Sequence, residues 1–576
     1  MFYAWRIKEM RKLFVCIISI LLLSLSSFAQ DISRQEALQY ARDFFSDTPS
    51  ARLDVVWTGS EDSSFYVINR EGGGFLVLSG SRILPPVIGY SYSGSFKVKG
   101  MPDNVSAWFR GFEKDLKEAK ALYPRPSEEV LQQWRSLGAR TKAPVQSYVL
   151  ESALWDQDEP FNDKCVMPNG DKVITGCVAT AMAITFRHNK YPPHGFGSLE
   201  GYITSTNRYR IEGFSIEDHY YDWDNMPLTN VYGATAEQKA QIAQLMYDCG
   251  VLIHMDYSPT GSGAISMNMP AEVAEHFHYS PEALLYKKSM YKPREWLALL
   301  RNELDQDRLI FYSAQDANGN SGHAFVIDGY DENGLLHVNW GWSGSGNGFY
   351  DLDLRVGWYR FSNSQGAVLG LVPDPNQEKA PITHLALTSN GLSLASGRIE
   401  KGVRFSIRID KITNYGNGDY AGPLQVVLTD ENDNIKANLS SPLGVTITAL
   451  HEGSYTIENC MLETVPAFKD RIALAAKNNS GEMEVLRSDV ENESVGSLAT
   501  VPNFISTKSS YSPGDTFELK LFKSGEKYNS ATWYFDGVKV PADEDSVVLS
   551  AGEHIVKVVL EKSSGSESII QEITVN

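Results

Sequence analysis

The run Thr175-Gly176-Cys177-Val178-Ala179-Thr180-Ala181-Met182-Ala183 consists almost wholly of small side chains. It predicts a helix that begins near Cys177 and stops before Pro192-Pro193. A thiol at a helix N-terminus feels the positive end of the helix dipole, which lowers its pKa and favours the thiolate. Cys177 is therefore a candidate nucleophile, although a single cysteine is more often a small buried hydrophobe and a base must still be found. His323 opens the apolar strand Gly322-His323-Ala324-Phe325-Val326-Ile327-Asp328-Gly329 after a Gly/Asn-rich loop, 146 residues further on. A Cys and a His at that separation can be a nucleophile and its base brought together by the fold.

A second strand, His337-Val338-Asn339-Trp340-Gly341-Trp342, follows the turn residues Asp331-Glu332-Asn333-Gly334. One of these two strands should carry a side chain that orients the imidazole. Asp328 lies five positions along from His323, an odd offset that turns it to the opposite face. A five-residue loop Tyr330–Gly334 would pair Leu335 with Gly329 and Asn339 with Phe325, diagonal to His323. A two-residue Asn-Gly turn would set Asn339 opposite Asp328 instead. The longer loop is expected, with Asn339 as the orienting group and Trp340 covering the Asn–His bond. Gly341, Gly344, Gly346 and Gly348 then predict a mobile, substrate-lining lid.

These motifs resemble the streptopain family of secreted bacterial cysteine peptidases, which have a papain-like fold. Thr175 stands where the papain branch has a second Cys, so the resemblance is not to that branch. It extends to Trp155-Asp156-Gln157-Asp158-Glu159-Pro160-Phe161-Asn162, where Gln157 matches the family's oxyanion-hole Gln and Asp156 replaces the usual Asn. It also covers Met255-Asp256-Tyr257-Ser258-Pro259-Thr260-Gly261-Ser262-Gly263-Ala264, similar to a family segment near the substrate cleft. The resemblance implies catalytic roles for Cys177, His323, Asn339, Gln157 and Trp340. It implies substrate contacts at Gly176, Gly322, Gly341, Ser262 and Gly263, and a preference for a bulky apolar residue just before the residue at the cut. No metal and no cofactor are implied.

The 576 residues predict several domains. Arg6, Lys8, Arg11 and Lys12 precede an apolar run from Leu13 to Leu25, and Ser27-Phe28-Ala29 offers a cleavage site, so residues 1–29 are expected to be an export signal. Met10 is an alternative start. Ser33-Arg34-Gln35-Glu36 is a capping box, Phe65–Asn69 and Phe75–Leu78 are strands, and Val105–Leu122 is an amphipathic helix. This α+β region resembles the inhibitory pro-domain of the same family. Pro124, Pro126 and Pro144 bracket a polar stretch with Arg135, Arg140 and Lys142, expected to be an exposed activation linker. The expected divisions are 30–142 for pro-domain and linker, 143–373 for the peptidase, and 380–498 and 499–576 for two all-β, Ig-like sandwich modules. The last two rest on alternating strands at Val403–Ile409, Leu424–Leu428, Arg471–Ala476, Thr532–Phe535 and His554–Leu560.

Lys+Arg 52 against Asp+Glu 71 leaves a net charge of −19 with no basic stripe, which argues against nucleic acid as a partner. Cys165, Cys249 and Cys460 are too few for a disulfide scaffold and lack zinc-site spacing. His276-Phe277-His278 reads as a helix surface rather than a metal site, and Gly341-Trp342-Ser343-Gly344-Ser345 fails the serine-hydrolase pattern. The whole predicts an exported zymogen of a cysteine endopeptidase acting on proteins or peptides, with its own pro-domain as intramolecular inhibitor. The rival reading is an inactive, peptidase-like binding protein whose β-modules hold a surface partner.

Overall fold

The computed structural model describes residues 31–575 apart from 60–62, 123–124, 139–144, 316–321, 353–354, 357–358, 361–363, 398, 400, 431, 465, 467–469, 490–496, 500–510, 520–529, 543, 545 and 563–564. The expected export signal and the linker residues Arg140, Lys142 and Pro144 lie outside the described residues. The chain falls into two compact units, Met1–Pro381 and Ile382–Asn576. Among the described residues no helix is long and apolar enough to cross a membrane.

The first unit opens with helix α1 (Arg34–Phe44), started by the expected capping box. The Ser33 hydroxyl accepts from the Glu36 amide at 3.2 Å, and the Ser33 amide donates to the Glu36 carboxylate at 2.9 Å. Strands β1 (Leu53–Trp57), β2 (Phe65–Arg70), β3 (Phe75–Ser79) and β4 (Val87–Ser91) form an antiparallel meander. Helix α2 (Asp103–Leu122) covers one face through Phe109 and Phe112, which pack with Phe65, Val67 and Phe75. The other face carries Tyr66, Ile68, Leu76 and Leu78 into a second core with Ala37, Ala41 and Phe44 of α1.

The exposed linker expected here is in good part a third helix, α3 (Glu128–Gly138). Val130, Trp134 and Leu137 are buried against α1, and the Trp134 indole donates to Leu84 O at 2.9 Å. Their spacing is helical, but it is carried by few apolar residues among many polar ones, and the flanking prolines draw the eye to a linker. Arg135 belongs to this helix and pairs with Glu128 at 2.6 Å.

Beyond it run β5 (Ser147–Val149), helices α4 (Cys177–Asn189) and α5 (Ala236–Leu252), β6 (Leu284–Lys287), α6 (Pro293–Asp305), β7 (Ile310–Gln315), β8 (Gly322–Asp331), β9 (Leu336–Asn339), β10 (Gly348–Tyr350) and β11 (Gly366–Leu369). They join the N-terminal meander in one 11-stranded sheet, ordered β1-β2-β3-β4-β10-β9-β8-β7-β11-β6 with β5 beside β8. The seam is β4 on β10, where Tyr90 pairs with Phe349 and Gly89 with Tyr350. A Cβ on Gly89 would lie 2.4 Å from the Tyr350 ring, so a glycine is needed for the strands to close. Helix α4 is buried over Cys177–Arg187 and shares one core with β7 and β8. A helix apolar on all sides must be enclosed, and this is what fixes Cys177 relative to the sheet.

In the second unit two sheets face each other. Leu387, Phe405 and Ile407 of one share a core with Leu424, Val426 and Leu474 of the other. A further module carries Ser530–Phe535, Gly552–Lys562 and Gly565–Val575 in one sheet, with Thr516–Glu518 and Ser546–Val548 in another; Phe517, Val556 and Val558 share its core.

Candidate active site

Gly176 caps α4 with φ +87 and ψ 145. A Cβ on it would sit 2.7 Å from Met255 Cε and 3.0 Å from Ser262 O, so only glycine lets the 255–263 loop close over the helix start. Thr180 Oγ1 donates to Gly176 O at 3.1 Å and lies 2.9 Å from Thr175 Oγ1, which ties the first turn. Cys177 is 8% exposed, and its Sγ accepts a hydrogen bond from the Ala324 amide at 3.4 Å. The helix start and the His323 strand thus meet at the sulfur. Here the expected lowering of the thiol pKa is overturned. Burial dominates and pushes the Cys177 thiol up, and the amides of Ala324, Cys177 and Val178 only partly offset it.

The hairpin register also differs from expectation. Val326, not Phe325, pairs with Asn339, while Tyr330 pairs with Leu336 and a bulge sits between Ile327 and Gly329. The loop does have five residues, but it starts one residue later. The buried Asp331 carboxylate accepts from the amides of Asn333 at 2.9 Å and Leu335 at 2.8 Å, which draws Asp331 into the turn. The bulge then recovers one position. Strand alternation consequently puts Asn339 on the face of Ala324 and Val326, opposite that of His323 and Phe325.

The Asn339 carboxamide donates to Ser152 Oγ and to Ala153 O, both at 2.9 Å, and accepts from the Gly341 amide at 3.1 Å. Ser152 in turn donates to Asp328 at 2.5 Å, and Asp328 also bonds the ring of His337. This Asn339–Ser152–Asp328–His337 chain had no signal in the sequence, because Ser152 lies far upstream in an unremarkable segment. Trp340, 1% exposed, instead faces Phe325 with ring centroids 5.0 Å apart. Its indole donates to Gly346 O at 3.1 Å.

Gln157 reaches the same neighbourhood through its carbonyl, which accepts from the Thr175 amide at 3.1 Å, two residues before Cys177. Its side chain is 6% exposed and makes no hydrogen bond among the described residues, so its carboxamide donors are uncommitted. The loop after Trp340, expected to be mobile, is tied at several points. The Trp340 amide donates to Asn347 Oδ1 at 3.1 Å, Tyr350 OH to Gly346 O at 2.6 Å, and the Ser343 amide to Trp155 O at 3.0 Å. The N-terminal domain holds it as well. The Gly346 amide donates to Ser95 O at 3.2 Å, the Lys97 amide to Ser345 Oγ at 3.1 Å, and Trp108 lies 5.8 Å from Trp340 between ring centroids.

Of the expected substrate contacts, Gly322 is exposed and pairs with Gln315 at the end of the β7–β8 ladder. Gly341, at φ +65, packs on α4: a Cβ would meet Thr180 Cγ2 at 2.9 Å. Ser262 turns its hydroxyl inward to Ile174 O at 2.8 Å, which makes it a staple behind Gly176. Gly263 is exposed, with open space where a Cβ would stand. Cys165, Cys249 and Cys460 are buried free thiols.

Comparison with known proteins matches two regions of the chain. A model described as the peptidase C10 family matches residues 155–350, and one described as a Spi protease inhibitor matches residues 29–116. Streptopain of Streptococcus pyogenes is 32% identical over 348 residues, covering 56% of this chain and 84% of streptopain. The thiol protease/hemagglutinin PrtT of Porphyromonas gingivalis is 30% identical over 442 residues, 72% of this chain and 50% of PrtT, so the chain spans half that protein's length. Among solved structures, a fragment of prointerpain A from Prevotella intermedia is 25% identical, with a TM-score of 0.45 over 57% of this chain and all of that one. A cysteine peptidase is thus the class of protein that the family match and these relatives define. The chain belongs to the peptidase C10 family, the family of streptopain.

Proposed function

We propose that this chain is the precursor of an exported cysteine endopeptidase with a papain-like catalytic half, kept inactive by its own N-terminal domain and followed by Ig-like modules. The observation that carries this reading is the contact of Cys177 Sγ with the Ala324 amide, at 3.4 Å, beside His323. In the working enzyme His323 takes the Cys177 proton, and the thiolate forms a bond to the carbonyl carbon of the scissile peptide. The Cys177 amide and the Gln157 carboxamide hold the resulting oxyanion, a contribution of about 2.7–4 kcal/mol per donor in comparable sites. His323 then gives its proton to the leaving amine as the C–N bond breaks. Water, activated by His323, releases the acyl group and restores the thiol.

Latency is read from the grip on the loop after Trp340. Ser95, Lys97 and Trp108 of the N-terminal domain hold it through the contacts given above, and Phe96 adds a ring contact to Trp342 at 6.1 Å. A tethered domain acts at an effective concentration of about millimolar, so modest affinity suffices until the tether is cut.

The test is casein hydrolysis under reducing conditions by the full chain and by the chain cut before about Gln146. Hydrolysis is expected from the cut chain, to be blocked by a thiol-alkylating reagent, and none from Cys177→Ala. A Cys177→Ala rate above about one per cent of wild type would mean a loss under ~2.7 kcal/mol and would exclude Cys177 as the nucleophile.

A further inference from the structure

Asp156 is a buried carboxylate, 7% exposed, that the steps above leave unused. One oxygen accepts from the Gln157 amide at 2.8 Å and the other from the Ser343 hydroxyl at 2.7 Å. Ser343, at φ +50, also donates its amide to Trp155 O at 3.0 Å, and its hydroxyl lies 3.3 Å from the Tyr232 hydroxyl. The carboxylate thereby bridges two segments: the one that carries Gln157 and bonds Thr175 just before Cys177, and the loop that follows Trp340.

We propose that Asp156 is a positioning residue for the oxyanion site, its ionised carboxylate clasping the Gln157 segment to the Ser343 loop. The inference rests on the reading of Gln157 as an oxyanion donor. Hydrogen bonds to an ionised acceptor are roughly twice as strong as neutral ones, so the clasp is tightest when Asp156 is charged. Burial raises its pKa from the ordinary carboxylate value, and the charge of Asp158 adds to this. The hydrogen bonds from Ser343, Gln157 and Tyr232 pull the other way. The clasp is therefore tightest where Asp156 is ionised and weakens as pH falls through that raised value, where a neutral carboxyl replaces the charged acceptor. Asparagine would keep it at all pH values, since its Oδ1 still accepts from the Gln157 amide and the Ser343 hydroxyl can turn to accept from Nδ2.

The experiment compares kcat and KM of the chain cut before about Gln146 between pH 4.5 and 8 for wild type, Asp156→Ala, Asp156→Asn, Ser343→Ala and Gln157→Ala. Asp156→Ala is expected to lower kcat about tenfold or more with little change in KM, the mark of a lost transition-state interaction. Asp156→Asn should restore most of the rate at pH 7 and hold it to lower pH than wild type. Should Asp156→Ala fail to fold, Ser343→Ala serves in its place, with a several-fold loss of kcat and a shifted acid limb. Wild-type kcat and pH profile in Asp156→Ala or Ser343→Ala, with Gln157→Ala impaired, would overturn the role of Asp156 alone. Full activity in Gln157→Ala would instead overturn the oxyanion reading beneath it.

Discussion

The sulfur of Cys177 accepts a hydrogen bond from the backbone amide of Ala324, the residue next to His323, at 3.4 Å. The nucleophile is thus held by the backbone of the base's strand inside a buried pocket, and burial keeps its proton on. A thiol with a raised pKa carries little thiolate at neutral pH, and only the thiolate is alkylated. The full chain should react slowly with iodoacetamide at Cys177 at pH 7, with the rate climbing as pH approaches the raised pKa. Cutting away the residues before Gln146 should speed the reaction at pH 7. Equal rates before and after the cut, followed by peptide mass spectrometry, would count against a latent thiol.

Asn339 is expected to matter through the fold rather than through the imidazole. Its loss strips partners from Ala153 O and the Gly341 amide, so Asn339→Ala should cost the full chain about 1–3 kcal/mol in urea unfolding. In the folded cut chain it should leave kcat and KM nearly unchanged, since its carboxamide lies on the face opposite His323. Asp328→Asn should disturb folding through Ser152 and His337 while leaving turnover nearly intact. A marked fall in kcat of Asn339→Ala with unchanged stability would instead make Asn339 the imidazole's orienting group.

The seam between the two halves offers a direct probe of latency. Tyr90 OH donates to the buried Asp331 carboxylate at 2.8 Å, and Asp331 shapes the turn of the hairpin that carries His323 and Asn339. Tyr90→Phe should weaken the N-terminal domain's hold by about 1–3 kcal/mol. Phe96→Ala should weaken it further by emptying the space beside Gly346 and Trp342. Both should appear as peptide hydrolysis by the uncut chain. Uncut variants as silent as the uncut wild type would place the block elsewhere.

A pH-dependent element lies away from the nucleophile. His219 Nδ1 donates to both oxygens of the buried Asp248 at 3.0 Å, and Tyr221 OH and Gln244 Nε2 donate to the same carboxylate at 2.8 and 2.9 Å. The Asp248 hydrogen bond raises the pKa of His219 above its ordinary value. The pair's contribution is full below the unfolded imidazole pKa, about 6.5, and fades as pH rises through the raised folded value. His219→Gln should therefore cost about 1–2 kcal/mol near pH 5 and less near pH 8.5. Thermal melts that shift equally at both pH values would show that the charge plays no part.

What could be read without coordinates was local. The capping box at Ser33, the helix beginning at Cys177 and the strand opened by His323 each depend on side chains within a turn or two, and all three formed where expected. The candidate chemistry was legible for the same reason, since Cys177, His323 and Gln157 sit in short motifs. The pairing of Asn339 was not, because a buried Asp331 and a bulge at Asp328 reset the register, and neither leaves a mark in hydrophobic alternation. The helix Glu128–Gly138 was hidden by its sparse apolar stripe, which only contact with Arg34–Phe44 makes meaningful. The thiol's pKa inverted for a similar reason. A helix dipole can be inferred from sequence, but the burial that outweighs it comes with the strand of Ala324, brought in from far along the chain. Chemistry carried by neighbours in sequence is written in the sequence; the partners of a buried carboxylate, such as Tyr90 for Asp331 and Ser152 for Asp328, come from segments far apart in the chain, and only folding brings those together.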